Sequence, residues 1–224
     1  RDDVAKLAGV SSATVSYVIN DGPRPVSEET RKKVLDAVEA LGYRPSAIAR
    51  SLKTKRTMTV GIVVSDILNP VLSAIAKVIE DELLKHKYTL IICNSDEEPE
   101  RELKFLQMLI GKQVDGIILL PTGMNIPFLQ GMIEKQNPPV LLLDRALKGL
   151  KTDCVLFDNK NGAYMLTKLL VELNHKRIAL LNLPKRLTPG QERALGYRKA
   201  LLEANLPIDE GLILESGFKA QEAP

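Results

Sequence analysis

The chain has 224 residues, 45% of them hydrophobic and 26% charged, a mix that excludes a disordered, collagen-like or low-complexity chain. No apolar run is long enough for a transmembrane helix. The first 25 residues carry Asp2, Asp3 and Asp21 and no apolar core, so no signal peptide is expected. The net charge of +3 is unevenly placed: residues 1–56 hold 11 Lys and Arg against 7 Asp and Glu, and residues 57–224 hold 20 against 21. Within the basic quarter, residues 44–56 carry five cations and no acid. Such a stretch beside a near-neutral body is the footprint of phosphate-backbone binding, although a solvated linker has the same composition.

In chain order, residues 3–8 read as a first helix with Val4, Leu7 and Ala8 inward, stopped by Gly9. A second helix, 12–20, has Ser11 as N-cap and Val15, Val18 and Ile19 inward. Asp21, Gly22, Pro23 and Pro25 make a loop. A third helix begins after the N-cap Ser27, with Glu28 and Glu29 in its first turn and Val34, Leu35, Val38 and Leu41 along one face. Two short helices joined by a tight glycine turn and braced by a third make the helix-turn-helix plan. Residues 46–54 read as a short hinge helix whose large apolar residues are Ile48 and Leu52; nine residues are too few to be stable without a partner or DNA.

From Thr59 short apolar runs (60–64, 89–93, 116–120, 140–143, 155–157 and 178–183) alternate with amphipathic helical stretches (71–86, 100–112 and 163–173 among them). That alternation predicts a doubly wound parallel α/β sheet, whose ligands bind at the carboxyl ends of the strands. The expected organisation is a headpiece over 1–45, a hinge and linker over 46–58, and a core over 59–224, with a first lobe to about 158 and a partial second lobe after it. Cys93 and Cys154 sit in apolar runs and read as reduced core residues of a cytosolic protein. His86 and His175 fit a helix end and a turn. No metal cluster, Walker pattern, nucleophile elbow or dinucleotide turn is present, so neither a cofactor nor catalysis is expected.

Residues 3–56 resemble the DNA-binding headpiece of the LacI/GalR family of bacterial transcriptional regulators. The resemblance is carried by Asp3-Val4-Ala5, Ala8-Gly9-Val10-Ser11, Ala13-Thr14-Val15-Ser16, Asn20, Val26-Ser27, Thr30-Arg31, Val34, Leu41-Gly42-Tyr43, Pro45, and Ala47, Ala49 and Leu52. It continues through Thr59-Val60-Gly61, Asn69-Pro70, Val114-Asp115-Gly116, Val140 to Asp144, Asp158-Asn159, Gly162-Ala163, His175 with Ile178, and Arg193 with Gly196-Tyr197. A family core domain runs on past 211–224, so the chain reads as C-terminally truncated; its opening at Arg1 rather than Met likewise reads as a short loss ahead of it.

The resemblance implies a fold: a small all-α headpiece plus a periplasmic-binding-protein-like doubly wound core, incomplete at the C-terminus. It also implies a homodimer that binds a pseudo-palindromic operator in double-stranded DNA, most often as a repressor, with no membrane partner. Ser12, Ala13 and Tyr17 fall on the family's base-reading positions. Tyr17 stands where many members carry arginine, and its other reading is a core aromatic of the headpiece. Thr14, Ser16 and Asn20 fit phosphate contacts or simple capping and solvation. Leu52 matches a minor-groove wedge, with Ala49, Arg50, Lys53, Lys55 and Arg56 around it; the other reading packs Leu52 on its own protein.

In the core, Asn69, Val71, Leu72, Thr122, Asp144, Arg145 and Arg193 match effector-binding positions. A carboxylate and a guanidinium facing a cleft suit a polyhydroxylated small molecule such as a sugar. Relatives often carry an aromatic at the place of Val71 or Leu72, and here both are aliphatic. The alternative implied by the family is a global regulator whose effector is a phosphorylated carrier protein. Capping or ion pairing is the plainer reading of Asp144.

Overall fold

The computed structural model describes residues 1–20, 22, 24–44, 51, 52, 54–135 and 138–217. Asp21, Pro23, Ala49, Lys53 and most of the expected hinge helix lie outside the described residues. The chain divides into two compact units, Arg1–Lys55 and Arg56–Pro224.

The first unit contains α1 (Asp2–Ala8), α2 (Ser12–Ile19) and α3 (Glu28–Ala40). Gly9 closes α1 at φ 66°, ψ 33°, the left-handed cap that glycine adopts without steric cost. Ser11 and Ser27 cap the next two helices, accepting from the backbone N–H of Thr14 and Thr30 at 3.1 and 3.3 Å. Val4, Ala5, Val15, Val18, Val34 and Ala37 form the core. Three expected core leucines are not in it: Leu7, Leu35 and Leu41 are exposed. Helices this short meet closely, so alanines fill the contact. At about 100° per residue Leu7 lies beyond Val4 on the side away from Ala5, and Leu35 lies beyond Val34 on the side away from Ala37, so both fall outside the buried arc.

The second unit runs β1 (Thr59–Val64), α4 (Pro70–Lys85), β2 (Thr89–Asn94), α5 (Pro99–Gly111), β3 (Gly116–Leu119), α6 (Ile126–Lys135), β4 (Val140–Leu143) and β5 (Asp153–Val155). These strands form one parallel sheet in the order β2-β1-β3-β4-β5. Alternate residues of β1 serve opposite layers. Val63 joins Leu106, Leu109 and Leu129 beneath α5 and α6, while Ile62 and Val64 join Leu72 beneath α4. Gly61 lets α5 approach, since a Cβ there would stand 2.6 Å from the Leu109 methyls. Asp115 fixes the entry to β1: its carboxylate accepts from the N–H of Thr57 at 2.8 Å and of Met58 at 3.0 Å.

A second lobe follows with α7 (Asn159–Glu172), β6 (Leu180–Asn182), α8 (Thr188–Glu203) and β7 (Ile213–Glu215), β6 and β7 pairing in parallel. Gly196 lets α8 press on α7; a Cβ there would lie 2.8 Å from the Tyr164 nitrogen and on top of the Lys160 carbonyl oxygen. Tyr197 is buried and donates its hydroxyl to the Ile178 carbonyl at 2.8 Å.

Two expectations are corrected. Cys93 is buried, but Cys154 is exposed, because it lies on the edge strand β5. The apolar run 155–157 is not a strand: the ladder ends at the pair Leu143 and Val155, and Leu156 and Phe157 continue past the sheet edge with their side chains exposed. The run at 178–183 likewise contracts to β6, with Ile178 contributing to the lobe core instead.

Candidate functional site

Each unit carries a concave surface that gathers residues predicted for a site. In the first, a recess of about 510 Å³ is lined by Ala13, Thr14 and Tyr17 of α2, by Arg24 and Pro25, and by Ser27 and Thr30 at the start of α3. Two capped helix N-termini meet there, each with a positive dipole end. Tyr17 is half-buried and stands outside the headpiece core, whose aromatic is Tyr43. The Arg24 guanidinium carbon lies 6.0 Å from the Tyr17 ring centroid, at the edge of cation–π range. Arg24 escaped the sequence reading because it belongs to an irregular loop with no periodicity to place it.

The other predicted residues of α2 have local partners. Ser12 donates its hydroxyl to Asp2 Oδ1 at 2.6 Å. That bond, with the Arg1 charge nearby, holds the Asp2 carboxyl below its usual range. Thr14 and Ser11 share a hydroxyl contact at 2.9 Å. Asn20 donates to the Ser16 carbonyl at 3.0 Å. Ala13 is exposed, and Leu52 is 78% exposed.

The second unit holds a cleft of about 370 Å³ at the carboxyl ends of β1 and β4, closed by residues of both lobes. Six of the seven predicted effector residues line it: Asn69, Val71, Leu72, Asp144, Arg145 and Arg193. Thr122 does not. It is buried and turned to Glu102, with its N–H at 2.6 Å and its hydroxyl at 3.2 Å from that carboxylate. Asn125 adds a third donor at 2.8 Å. Burial still pushes the Glu102 carboxyl above its usual range, against the lowering effect of these bonds.

Backbone turns deliver the polar groups. After β4 the Arg145 N–H bonds the Leu143 carbonyl at 2.7 Å, a tight turn centred on Asp144 at φ 64°. A non-glycine residue in that region is strained, by roughly 1–3 kcal/mol, and such strain gathers at functional sites. After β5, Asp158 accepts from Asn161 N–H at 3.0 Å and caps α7. Asn159 beside it faces the cleft and takes the Arg193 Nε–H at 2.9 Å, joining α7 to α8. Arg145 is tied back to Glu97. The lobes also meet where Thr188 donates to the Ala146 carbonyl at 2.7 Å.

Ser65, Asp66, Leu120, Phe157, Asn159 and Leu183 line the cleft without having been singled out as site residues. Phe157 matters most. It adds an aromatic ring to a lining in which Val71 and Leu72 are aliphatic. Its signal was obscured because it read as strand core. Asn159 was visible only as part of a family landmark.

Residues 2–46 match the family described as "Bacterial regulatory proteins, lacI family". Residues 57–220 match "Periplasmic binding proteins and sugar binding domain of LacI family". The chain belongs to the LacI family. Among LacI-family relatives, the transcriptional repressor PurR of Aliivibrio fischeri is 37% identical over 221 residues, covering 99% of this chain and 65% of that protein. The transcriptional regulator RegA of Clostridium saccharobutylicum is 40% identical over 220 residues, covering 98% and 66%. The chain thus spans about 65% of the length of the PurR relative it matches. The lac repressor dimer bound to operator and the anti-inducer ONPF aligns at a TM-score of 0.82 with 26% identity, covering 98% of this chain and 66% of that one. The regulator CelR in complex with cellobiose aligns at 0.65 with 31% identity, covering 99% and 66%.

Among the described residues no group of three or more His, Cys, Asp or Glu is arranged to hold a metal ion. Nor is any described helix long and apolar enough to cross a membrane.

Proposed function

We propose that this chain is a sequence-specific DNA-binding transcriptional regulator, acting as a repressor, whose hold on DNA is set by a small polyhydroxylated effector bound between the core lobes. The observation that carries this reading is the cleft itself. Asp144 comes from the first lobe and Arg193 from the second, and one ligand touching both biases the lobes toward closure. The family adds the other half: relatives named as repressors, a lac repressor dimer on its operator, and a CelR–cellobiose complex.

In this account α2 lies in the major groove with Ser12, Ala13 and Tyr17 toward base edges. Ser12 must exchange Asp2 for a base, because its hydroxyl is engaged in the free protein. Thr14, Ser16 and Asn20 meet phosphates. Two copies pair to read a pseudo-palindrome, and Leu52, with Ala49 and Lys53 beside it, enters the minor groove at the centre. Effector-driven lobe movement changes how well the two headpieces of the pair are placed on DNA, which couples the cleft to the operator. Phe157 stacks on a sugar ring while Asp144 accepts its hydroxyls.

Selection from a random DNA pool at physiological salt tests the DNA half. The expected product is a pseudo-palindrome with a central pyrimidine–purine step, the step most easily kinked. Recovery of weak, salt-sensitive, sequence-independent binding alone would overturn the reading.

A further inference from the structure

Arg145 lines the effector cleft, yet its guanidinium is engaged from behind. Nη1 donates to Glu97 Oε2 at 3.0 Å and to the Pro121 carbonyl at 3.1 Å, and Nη2 donates to Glu97 Oε1 at 2.6 Å. This is the paired fork geometry of the stronger Arg–carboxylate contacts. Both side chains are nearly buried, with 5% of Arg145 and 11% of Glu97 exposed. Breaking such a pair leaves a buried charge uncompensated, so it does not part readily to greet a ligand.

The backbone is bent to build the pair. Asp96 and Glu97 both lie in the left-handed region, at φ 51° and 60°, and Asp144, just before Arg145, lies there too at 64°. The Glu97 N–H is fixed to the Ser65 carbonyl at 3.1 Å. Strain at both ends of one ion pair marks a contact that the surrounding structure enforces.

The pair also sets the charge of the cleft. Its ionisable lining residues are Asp66, Asp144, Arg145 and Arg193. With Arg145 neutralised by Glu97, two carboxylates face one guanidinium. The N-termini of α4 and α7 reach the cleft at Asn69 and Asn159 and each adds about half a positive charge, and the Asp158 carboxylate that caps α7 offsets the two together. An entering anion meets a field of its own sign, whereas hydroxyl groups find acceptors on Asp66 and Asp144.

We infer that Glu97 is a specificity-determining residue: by occupying Arg145 from behind the cleft wall, it sets the cleft to take uncharged, hydroxyl-bearing effectors and to refuse phosphorylated or carboxylated ones. This rests on the reading of the cleft as the effector site.

The test uses inorganic phosphate as probe and the guanidinium N–H nuclear magnetic resonance signals of Arg145 and Arg193 as readout, each assigned by its loss in Arg145→Lys or Arg193→Lys. In the wild-type chain the Arg145 signals stay in place as phosphate is added to millimolar levels. In Glu97→Gln they shift saturably, and phosphate affinity rises at least about tenfold, the step that one freed charge-assisted hydrogen bond is worth. The double variant Glu97→Gln/Arg145→Gln loses the gain. Wild-type Arg145 signals that move with phosphate, or a gain that survives in the double variant, would overturn the inference. The wild-type arm stands whether or not Glu97→Gln folds. Hexoses and their phosphates, titrated into both proteins, separate this inference from the one beneath it. A hexose that binds wild type while its phosphate does not supports both. A chain that takes no hexose but gains phosphate in Glu97→Gln upholds the charge exclusion and refutes the sugar reading.

Discussion

The headpiece recess and the cleft between the core lobes are built in opposite ways. The headpiece recess is local. Most of its predicted residues come from the single helix Ser12–Ile19, where Val15 and Val18 turn to the core and Ala13 and Tyr17 to the recess. The cleft is non-local. It gathers Ser65, Asn69, Leu120, Asp144, Phe157, Asn159 and Arg193 from separate loops and helices, and fixes its arginines through residues on other elements. A surface carried by one helix yields to substitutions one residue at a time. A surface assembled by many elements responds through whatever holds those elements together.

The sharpest way to break that comparison is to disturb an element that positions the cleft from outside it. Gly196→Ala places a methyl group against the Lys160 carbonyl and the Tyr164 nitrogen, so α7 and α8 must separate. We expect a loss of about 3 kcal/mol or more by overpacking, read as an early thermal transition of the second unit with the headpiece signal unchanged. Leu52→Ala comes next. It leaves stability alone, since Leu52 is exposed, and weakens operator binding by roughly 2 kcal/mol, or about thirtyfold, while non-specific binding holds. Equal losses in both would remove the wedge from the account.

Smaller effects sharpen the local half. Ser11→Ala removes the cap on the Thr14 N–H and costs about 1 kcal/mol by denaturant titration. The smallest is a slope. Burial raises the Glu102 carboxyl in the folded chain from its ordinary value of 4.5. The unfolded chain therefore releases this proton first, and the favourable contribution, full below 4.5, is lost as pH rises through the folded value. Glu102→Gln removes that fall, so variant and wild type should diverge in stability above pH 4.5. Parallel curves would contradict the burial argument.

How much was legible follows the same division. The headpiece could be read from caps and periodicity: Ser11, Gly9 and Ser27 act where their chemistry puts them. Its misread leucines show the limit, because hydrophobicity names a candidate for burial but not the arc a tight three-helix contact leaves open. In the core the sheet was legible from buried apolar runs, with errors at the edge, where Cys154 is exposed on the edge strand and Phe157 lines the cleft instead of the sheet core. The cleft lining was legible as far as family landmarks reached. Thr122 fell away because position after a strand does not fix which neighbour a hydroxyl finds. Glu97 and Glu102 were not singled out, since nothing in the spacing of these charges announces burial.

The central claim is that a ligand in the cleft changes the grip on DNA. It is tested most directly by measuring affinity for a selected operator fragment with and without a panel of neutral sugars, in the wild-type chain and in Asp144→Asn and Arg193→Met. Asparagine tolerates the left-handed turn at 144 while losing the charge. The account predicts that at least one sugar shifts wild-type operator affinity by about fivefold or more, and that both variants bind operator normally but lose the shift. A shift that persists undiminished in both variants, or no response to any sugar, would contradict it.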